Sequence, residues 1–336
     1  MNKKLLLSFL LMLMLSVVLV ACGGGNDTDN NADGNNNNGD AEADAPDFLS
    51  FLTGGTSGTY YPLGGAIATI ISDETGIQTD AVSSNASADN IEALRDGEAE
   101  IAFTQTDVAS NAVEGINSFD GDPVDNVLGL GALYPETIQI VTTDKSGIES
   151  VEDMEGKKVS VGAPGSGTYV NAEQILEVHG LSMDDIDAQN LDFGESTGGI
   201  QDGNIDAAFI TAGTPTGAVE ELQASADVSI VPVEKDKADE LIEEYPYYAE
   251  DTVEEGTYDI EEDVDTVAVL AMIVVTDDIP EDTVYDITKA IYENTDDIAH
   301  DKADAISKDS ALDGLGDLEL HPGAEKYYEE EGIEAE

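Results

Sequence analysis

Residues 53–65 read Thr-Gly-Gly-Thr-Ser-Gly-Thr-Tyr-Tyr-Pro-Leu-Gly-Gly, a concentration of glycine, hydroxyl and phenol suited to holding an anion. Glycine lets the backbone come close, and hydroxyls and unpaired N–H groups donate to oxygen. The same residue types return at Ser83-Ser84-Asn85-Ala86-Ser87, at Thr104-Gln105-Thr106-Asp107, at Gly162-Ala163-Pro164-Gly165-Ser166-Gly167-Thr168, and at Thr211-Ala212-Gly213-Thr214-Pro215-Thr216. The candidates for touching a ligand are Ser57, Thr59 and Tyr60 in the first loop, and Asn85 and Gln105 in the next two. Ser166, Gly167 and Thr168 follow in the fourth, then Pro215 and, more weakly, Thr211 and Thr216 in the fifth. Asn85 and Gln105 orient a polar ligand without adding charge, and Asn85 serves equally as a helix cap. Of Tyr60 and Tyr61, one is expected to be core. None of the five loops contains lysine or arginine. An oxyanion there would be held by backbone N–H groups at helix starts, chiefly in 56–60 and 164–168, with the hydroxyls assisting.

Each loop has an apolar run before it and a helical pattern after it. Phe48 to Leu52 reads as a strand, and Leu63, Ile67, Ile70 and Ile71 form one face of a helix with Pro62 in its first turn. Gly76 stops that helix. Strand-like runs follow at Ile77–Val82, Ala99–Phe103, Val127–Leu133, Ile138–Val141, Lys157–Val161, Ile205–Ile210 and Val228–Val233. Asp107 is a candidate N-cap for the segment through Val113; Thr214 is another, with Pro215 at the first helical position. Alternating strands and helices argue for an α/β fold with mainly parallel sheets, whose ligands sit beyond the carboxyl ends of the strands. Two sheets presenting loops to each other make a cleft. Tyr134-Pro135-Glu136 and the run Val267–Val275 read as two crossings. The lobes are therefore expected at about 47–136 with 268–336, and at about 137–267.

The start of the chain is of another kind. Lys3 and Lys4 precede an apolar run from Leu5 to Val20, and Leu19-Val20-Ala21-Cys22 has the small-residue shape of a cleavage site followed by cysteine. Residues 1–22 thus resemble a bacterial lipoprotein signal, with Cys22 as the lipid-bearing residue. An ordinary signal peptide or a membrane anchor are the alternatives. Cys22 is the only cysteine, so no internal disulfide forms. Residues 23–46 are mostly Gly, Asn, Asp and Ala, a composition that builds no core and reads as a tether. An extracytoplasmic protein, lipid-anchored to the cell membrane, is expected.

The chain carries 73 Asp and Glu against 12 Lys and Arg, a net charge of −61. Nucleic acid is excluded as a partner, because phosphate binding needs clustered Lys and Arg. The acids are spread through regular sequence that is 41% hydrophobic, which fits a strongly hydrated surface of the halophilic kind and not a disordered chain. No spacing suggests a metal or a cofactor. His179, His300 and His321 lie far apart, no nucleophile has an evident base, and an enzyme is not expected.

The run Gly55 to Gly65 resembles the opening of the TAXI proteins, the substrate receptors of TRAP transporters. So do Phe103-Thr104-Gln105-Thr106-Asp107, Leu133-Tyr134-Pro135-Glu136, Val161 to Thr168, Thr211 to Thr216 and His321-Pro322-Gly323-Ala324-Glu325. These matches run in family order over about 48–328. The resemblance implies a type II periplasmic-binding-protein fold, two α/β lobes with a ligand cleft between. It also implies capture of a small carboxylate (a glutamate-like amino acid, 2-oxoacid or dicarboxylate) and delivery to TRAP-type membrane permease subunits. Two departures are Gly217, where the family often has a second proline, and Ser196-Thr197-Gly198-Gly199, where it is richer in alanine. A surface lipoprotein acting as a sensor or adhesin is the alternative reading.

Overall fold

The computed structural model describes residues 45–119 and 121–334. The lipoprotein-like segment, Cys22 and most of the tether lie outside them. The strands are β1 (Phe48–Leu52), β2 (Gln78–Val82), β3 (Ile101–Gln105), β4 (Val127–Thr143), β5 (Lys158–Ser160), β6 (Asp187–Gln189), β7 (Ala207–Ala212), β8 (Val228–Val231), β9 (Ala249–Val253) and β10 (Val264–Thr276). The helices are α1 (Tyr60–Thr75), α2 (Ser87–Arg95), α3 (Thr106–Glu114), α4 (Gly167–Val178), α5 (Phe193–Asp202), α6 (Gly217–Gln223), α7 (Lys235–Glu244), α8 (Glu281–Glu293) and α9 (Pro322–Glu331).

The expectation of two separate, mainly parallel sheets is corrected. All the strands belong to one hydrogen-bonded sheet with the path β2-β1-β3-β10-β4-β7-β5-β6, β8 adding to β4 and β9 to β10. The outer parts are parallel, β1 with β2 and β3, and β5 with β6 and β7. The middle is antiparallel, with β10 against β3 and β4, and β4 against β7. The reason lies in the length of β4 and β10. Both run through the two lobes, so their shared ladder, Thr276↔Val127 to Ala268↔Thr137, joins what would otherwise be two sheets. Strand β4 continues through Pro135 and joins the two strand-like runs Val127–Leu133 and Ile138–Val141 into one strand. Pro135 lacks an N–H, and the ladder slips one position away, between Ala271 and Met272.

Two apolar clusters drawn from 49–134 and 271–328 pack around β1, β3, α1, α8 and α9. Two others, drawn from 138–269, pack around β5, β7 and α4. Each fills a lobe. Tyr60 stacks on Phe103 at 4.5 Å, and Phe103 on Phe51 at 5.0 Å, tying the first turn of α1 to the sheet. Tyr61 is exposed. Gly76 ends α1 in the left-handed conformation, as the sequence predicts.

Two helix starts differ from expectation. The N-cap of α3 is Gln105, and Asp107 lies inside the first turn, buried. Helix α6 begins at Gly217, with Thr216 as its N-cap in place of Thr214. Thr216 is pinned there by buried bonds: its N–H donates to Tyr258 Oη at 2.5 Å and its hydroxyl to the Gly213 carbonyl at 2.9 Å. Gln139 Nε2 donates to Thr216 Oγ1 at 3.0 Å. No helix among the described residues is long and apolar enough to cross a membrane.

Candidate functional site

A cavity of about 120 Å³ lies between the lobes. The usual range for a small-molecule pocket is roughly 300–1,000 Å³, so this one suits a small ligand. Of the residues proposed from sequence, Thr59, Tyr60, Asn85, Gln105, Ser166, Gly167, Thr168 and Thr211 line it; Ser57 and Pro215 do not. Ser57 lies in the lobe contact instead, where its carbonyl accepts from Ala218 N at 3.1 Å.

The wall is built from helix starts. Thr59 and Tyr60 open α1, Ser87 opens α2, Gln105 caps α3, Ser166 to Thr168 open α4, and Asp192 with Phe193 opens α5. The first N–H groups of a helix find no carbonyl within it, and the helix dipole places positive partial charge at that end. Acidic residues occupy the first turns of α2, α3, α5, α6, α7, α8 and α9. The first turns of α1 and α4 have none. In so acidic a chain, these two starts keep their field uncompensated, and both face the cavity.

Some wall groups are already engaged. Ser166 Oγ donates to the Ala163 carbonyl at 2.8 Å and accepts from Tyr169 N at 3.3 Å, so it caps α4. Asn85 Nδ2 donates to Asp89 at the exposed rim, 3.2 Å away. Thr59 Oγ1 donates across the cleft to the Gly213 carbonyl at 3.3 Å. Gln105 Oε1 and Thr211 Oγ1, both buried, have no partner among the described residues. Buried polar atoms are rarely left so, and these two are available to a ligand.

Gly167 has a different role from the one its position in a loop suggests. A Cβ on it would lie 1.4 Å from Gln105 Oε1 and 3.0 Å from Ser87 Oγ. Its bare Cα is where the carboxamide of the opposite lobe packs. Gly58 plays a milder version against Phe193, which would stand 3.2 Å from its Cβ.

Sequence reasoning missed Glu136, Asp192 and Phe193, which also line the cavity. Glu136 is 2% exposed. Burial pushes its carboxyl up to about 8, against the pull of hydrogen bonds from Tyr60 and Gln105. The Tyr60 hydroxyl lies 3.0 Å from the Thr104 carbonyl and 2.8 Å from Glu136 Oε2. It has one proton. Given to Glu136, it holds the carboxyl down; given to the Thr104 carbonyl, it lets the phenol oxygen accept from a protonated Glu136. A signal was present: Glu136 is the one charged residue in the apolar run Val127–Thr143. None of the residues lining the cavity is Lys, Arg or His.

A profile of the NMT1-like family matches residues 51–332, both lobes and every loop of the cavity. The chain belongs to the NMT1-like family. Among solved structures it resembles a protein from Bordetella bronchiseptica RB50, at 19% identity and a TM-score of 0.52, over 85% of this chain and 82% of that one. It also resembles a periplasmic transporter at 14% identity and 0.52, over 84% and 92%. A third is PhnD1 from Prochlorococcus marinus (MIT 9301), solved with methylphosphonate, at 9% identity and 0.51, over 85% and 98%. At these identities the likeness is one of fold, and that fold is the type II periplasmic-binding-protein fold: two α/β lobes with a ligand cleft between.

Proposed function

We propose that the protein is an extracytoplasmic solute-binding receptor for a small carboxylate, and that it hands this ligand to a TRAP-type secondary transporter. The observation that carries the reading is the cavity wall itself. Helix starts from both lobes meet there, the two without first-turn acids face inward, and the lining includes no cationic side chain. Thr59 and Tyr60 shape the wall, and Gln105 Oε1, an acceptor, is left for a donor elsewhere on the ligand. The N–H groups of Gly167 and Thr168 receive the carboxylate, helped by the hydroxyls of Thr168 and Thr211. Charge-assisted bonds of that kind contribute roughly 1.5–3 kcal/mol each. Protonated Glu136 offers no charge to repel it. That PhnD1 was solved with methylphosphonate speaks for a small oxyanion in this fold, while the TAXI-like motifs favour a carboxylate and TRAP delivery. With no base paired to a nucleophile in the wall, an enzyme is disfavoured, and a sensor or adhesin would leave the cavity without a task.

The hinge is placed where β4 and β10 pass between the clusters, so that the moving bodies are about 47–136 with 268–336, and about 137–267. Attachment to the membrane is assigned to Cys22. A thermal-shift and calorimetric screen of amino acids, 2-oxoacids and dicarboxylates in high salt tests the first half of the proposal. A ligand at a hundred times its Kd stabilises by about 2.7 kcal/mol. If none of these binds, the carboxylate reading falls. Uptake into vesicles holding the permease, driven by an ion gradient without ATP, tests the second half.

A further inference from the structure

Beside the ligand cavity the two lobes meet at a second buried polar cluster. Asp107 on α3 comes from one lobe, and Asn171 and Gln174 on α4 from the other. Asn171 Nδ2 donates to Asp107 Oδ2 at 2.9 Å and lies 2.9 Å from Tyr248 Oη. Tyr248 donates to Gln174 Oε1 at 2.6 Å, and Gln174 Nε2 to Tyr247 Oη at 3.0 Å. Asp107 and Asn171 are both fully buried.

The accounting in this cluster does not close. Asp107 Oδ1 and Asn171 Oδ1 are both buried without a partner among the described residues, and both are acceptors. Each is the remaining polar atom of a side chain already joined to the other through Asp107 Oδ2 and Asn171 Nδ2. One proton on Asp107 Oδ1 supplies the donor that both lack and turns the pair into a carboxylic acid facing a carboxamide. We propose that closing the two lobes takes up a proton on Asp107, so that closure, and with it capture, is favoured on the acidic side of neutrality. The consequence for capture rests on the receptor reading above; the coupling of closure to the proton does not.

The surroundings agree. The titratable groups facing Asp107 are Glu136 on β4, Tyr60 on α1, and Tyr247 and Tyr248 ahead of β9. No cation is among them. Burial raises the Asp107 carboxyl from 3.8 to about 7, opposed by the N–H of Val108 and by Asn171. When the lobes part, water reaches the carboxyl and its ordinary acidity returns. The closed form then binds the proton more tightly than the open form, so closure is lost as pH rises through about 7.

The test is small-angle scattering of the full unliganded chain in brine, from pH 5.5 to 8.5, on the wild type and Asp107→Asn. Asparagine at 107 offers Asn171 a donor and an acceptor at every pH. The wild type is expected to lose closed form by about tenfold or more across this range. Asp107→Asn should change less than twofold and stay compact at pH 8.5. A wild type unaffected by pH, or an Asp107→Asn response equal to that of the wild type, overturns the proposal. Near-UV circular dichroism at pH 6 checks that the variant is folded. A carboxylate screen that fails leaves this result standing, because no ligand enters the measurement.

Discussion

Glu136 and Asp107 are both carboxyls buried between the lobes, and they differ in what faces them. Glu136 lines the cavity, and its bonds come from Tyr60 and Gln105 of its own lobe. Asp107 faces protein of the opposite lobe and is left with one oxygen unpaired. Burial raises both, to about 8 and about 7. Desolvation alone therefore does not give either group its task; the partner does. A satisfied acid beside an empty volume is placed to meet a ligand. An unsatisfied acid at a moving seam is placed to register whether the seam is shut.

The comparison can be broken most severely on the cavity side. Gly167→Val puts a side chain where Gln105 Oε1 now lies 1.4 Å from the Cβ position. Neither the lobes nor the N–H groups of α4 can then reach the ligand, and calorimetry should record at least about hundredfold weaker binding, some 2.7 kcal/mol. The melting temperature without ligand should hardly move, since Gly167 opens a helix at the cleft. Normal affinity in this variant would show that the cavity does not close around the ligand.

A smaller effect is expected at the seam. Asn171→Leu removes the donor to Asp107 Oδ2 and leaves a buried acceptor bare, a cost of about 1–3 kcal/mol. That cost falls on the closed form, so ligand dissociation should speed up by roughly fivefold or more, and the loss should grow with pH. Stopped-flow release rates at pH 6 and pH 8 measure both.

Next comes the acid in the cavity. Between 4.5 and about 8 the unfolded chain has lost the Glu136 proton while the folded chain keeps it. The folded state then binds more protons, so its stability falls as pH rises through this window. Glu136→Gln preserves the shape of the protonated acid and should flatten the slope in denaturant titrations at pH 5, 6.5 and 8. A slope equal to that of the wild type would place the Glu136 proton elsewhere.

The smallest effect belongs to Arg95, the only arginine. It sits at the last turn of α2, away from the cavity, beside Asp96 at 3.3 Å and Asp122 at 3.9 Å. Such half-exposed pairs contribute about 0–1 kcal/mol. Arg95→Gln should leave affinity within about twofold, which matters because it separates capture by backbone N–H groups from capture by a cation.

Much of this was legible in the residues. The period of the apolar positions gave β1, α1, β3 and α4, and glycine at 76 fixed where α1 stops, because these are local matters of side-chain spacing and left-handed backbone. Five polar loops after strands were enough to mark the walls of the cavity, since in this class of fold the strand ends converge. The sequence by itself also determined the extreme charge and the absence of lysine and arginine from those loops. Tertiary structure decided the rest. Whether β4 and β10 join two sheets or one depends on a ladder between residues more than a hundred positions apart. Short β6 and β9 exist only because a neighbouring strand pairs with them. Ser57 turned from a ligand candidate into a carbonyl for Ala218, and Asp107 from a cap into a buried acid against Asn171. Burial and cross-lobe partners set what a carboxyl does, and both come from chain segments that the local sequence does not specify.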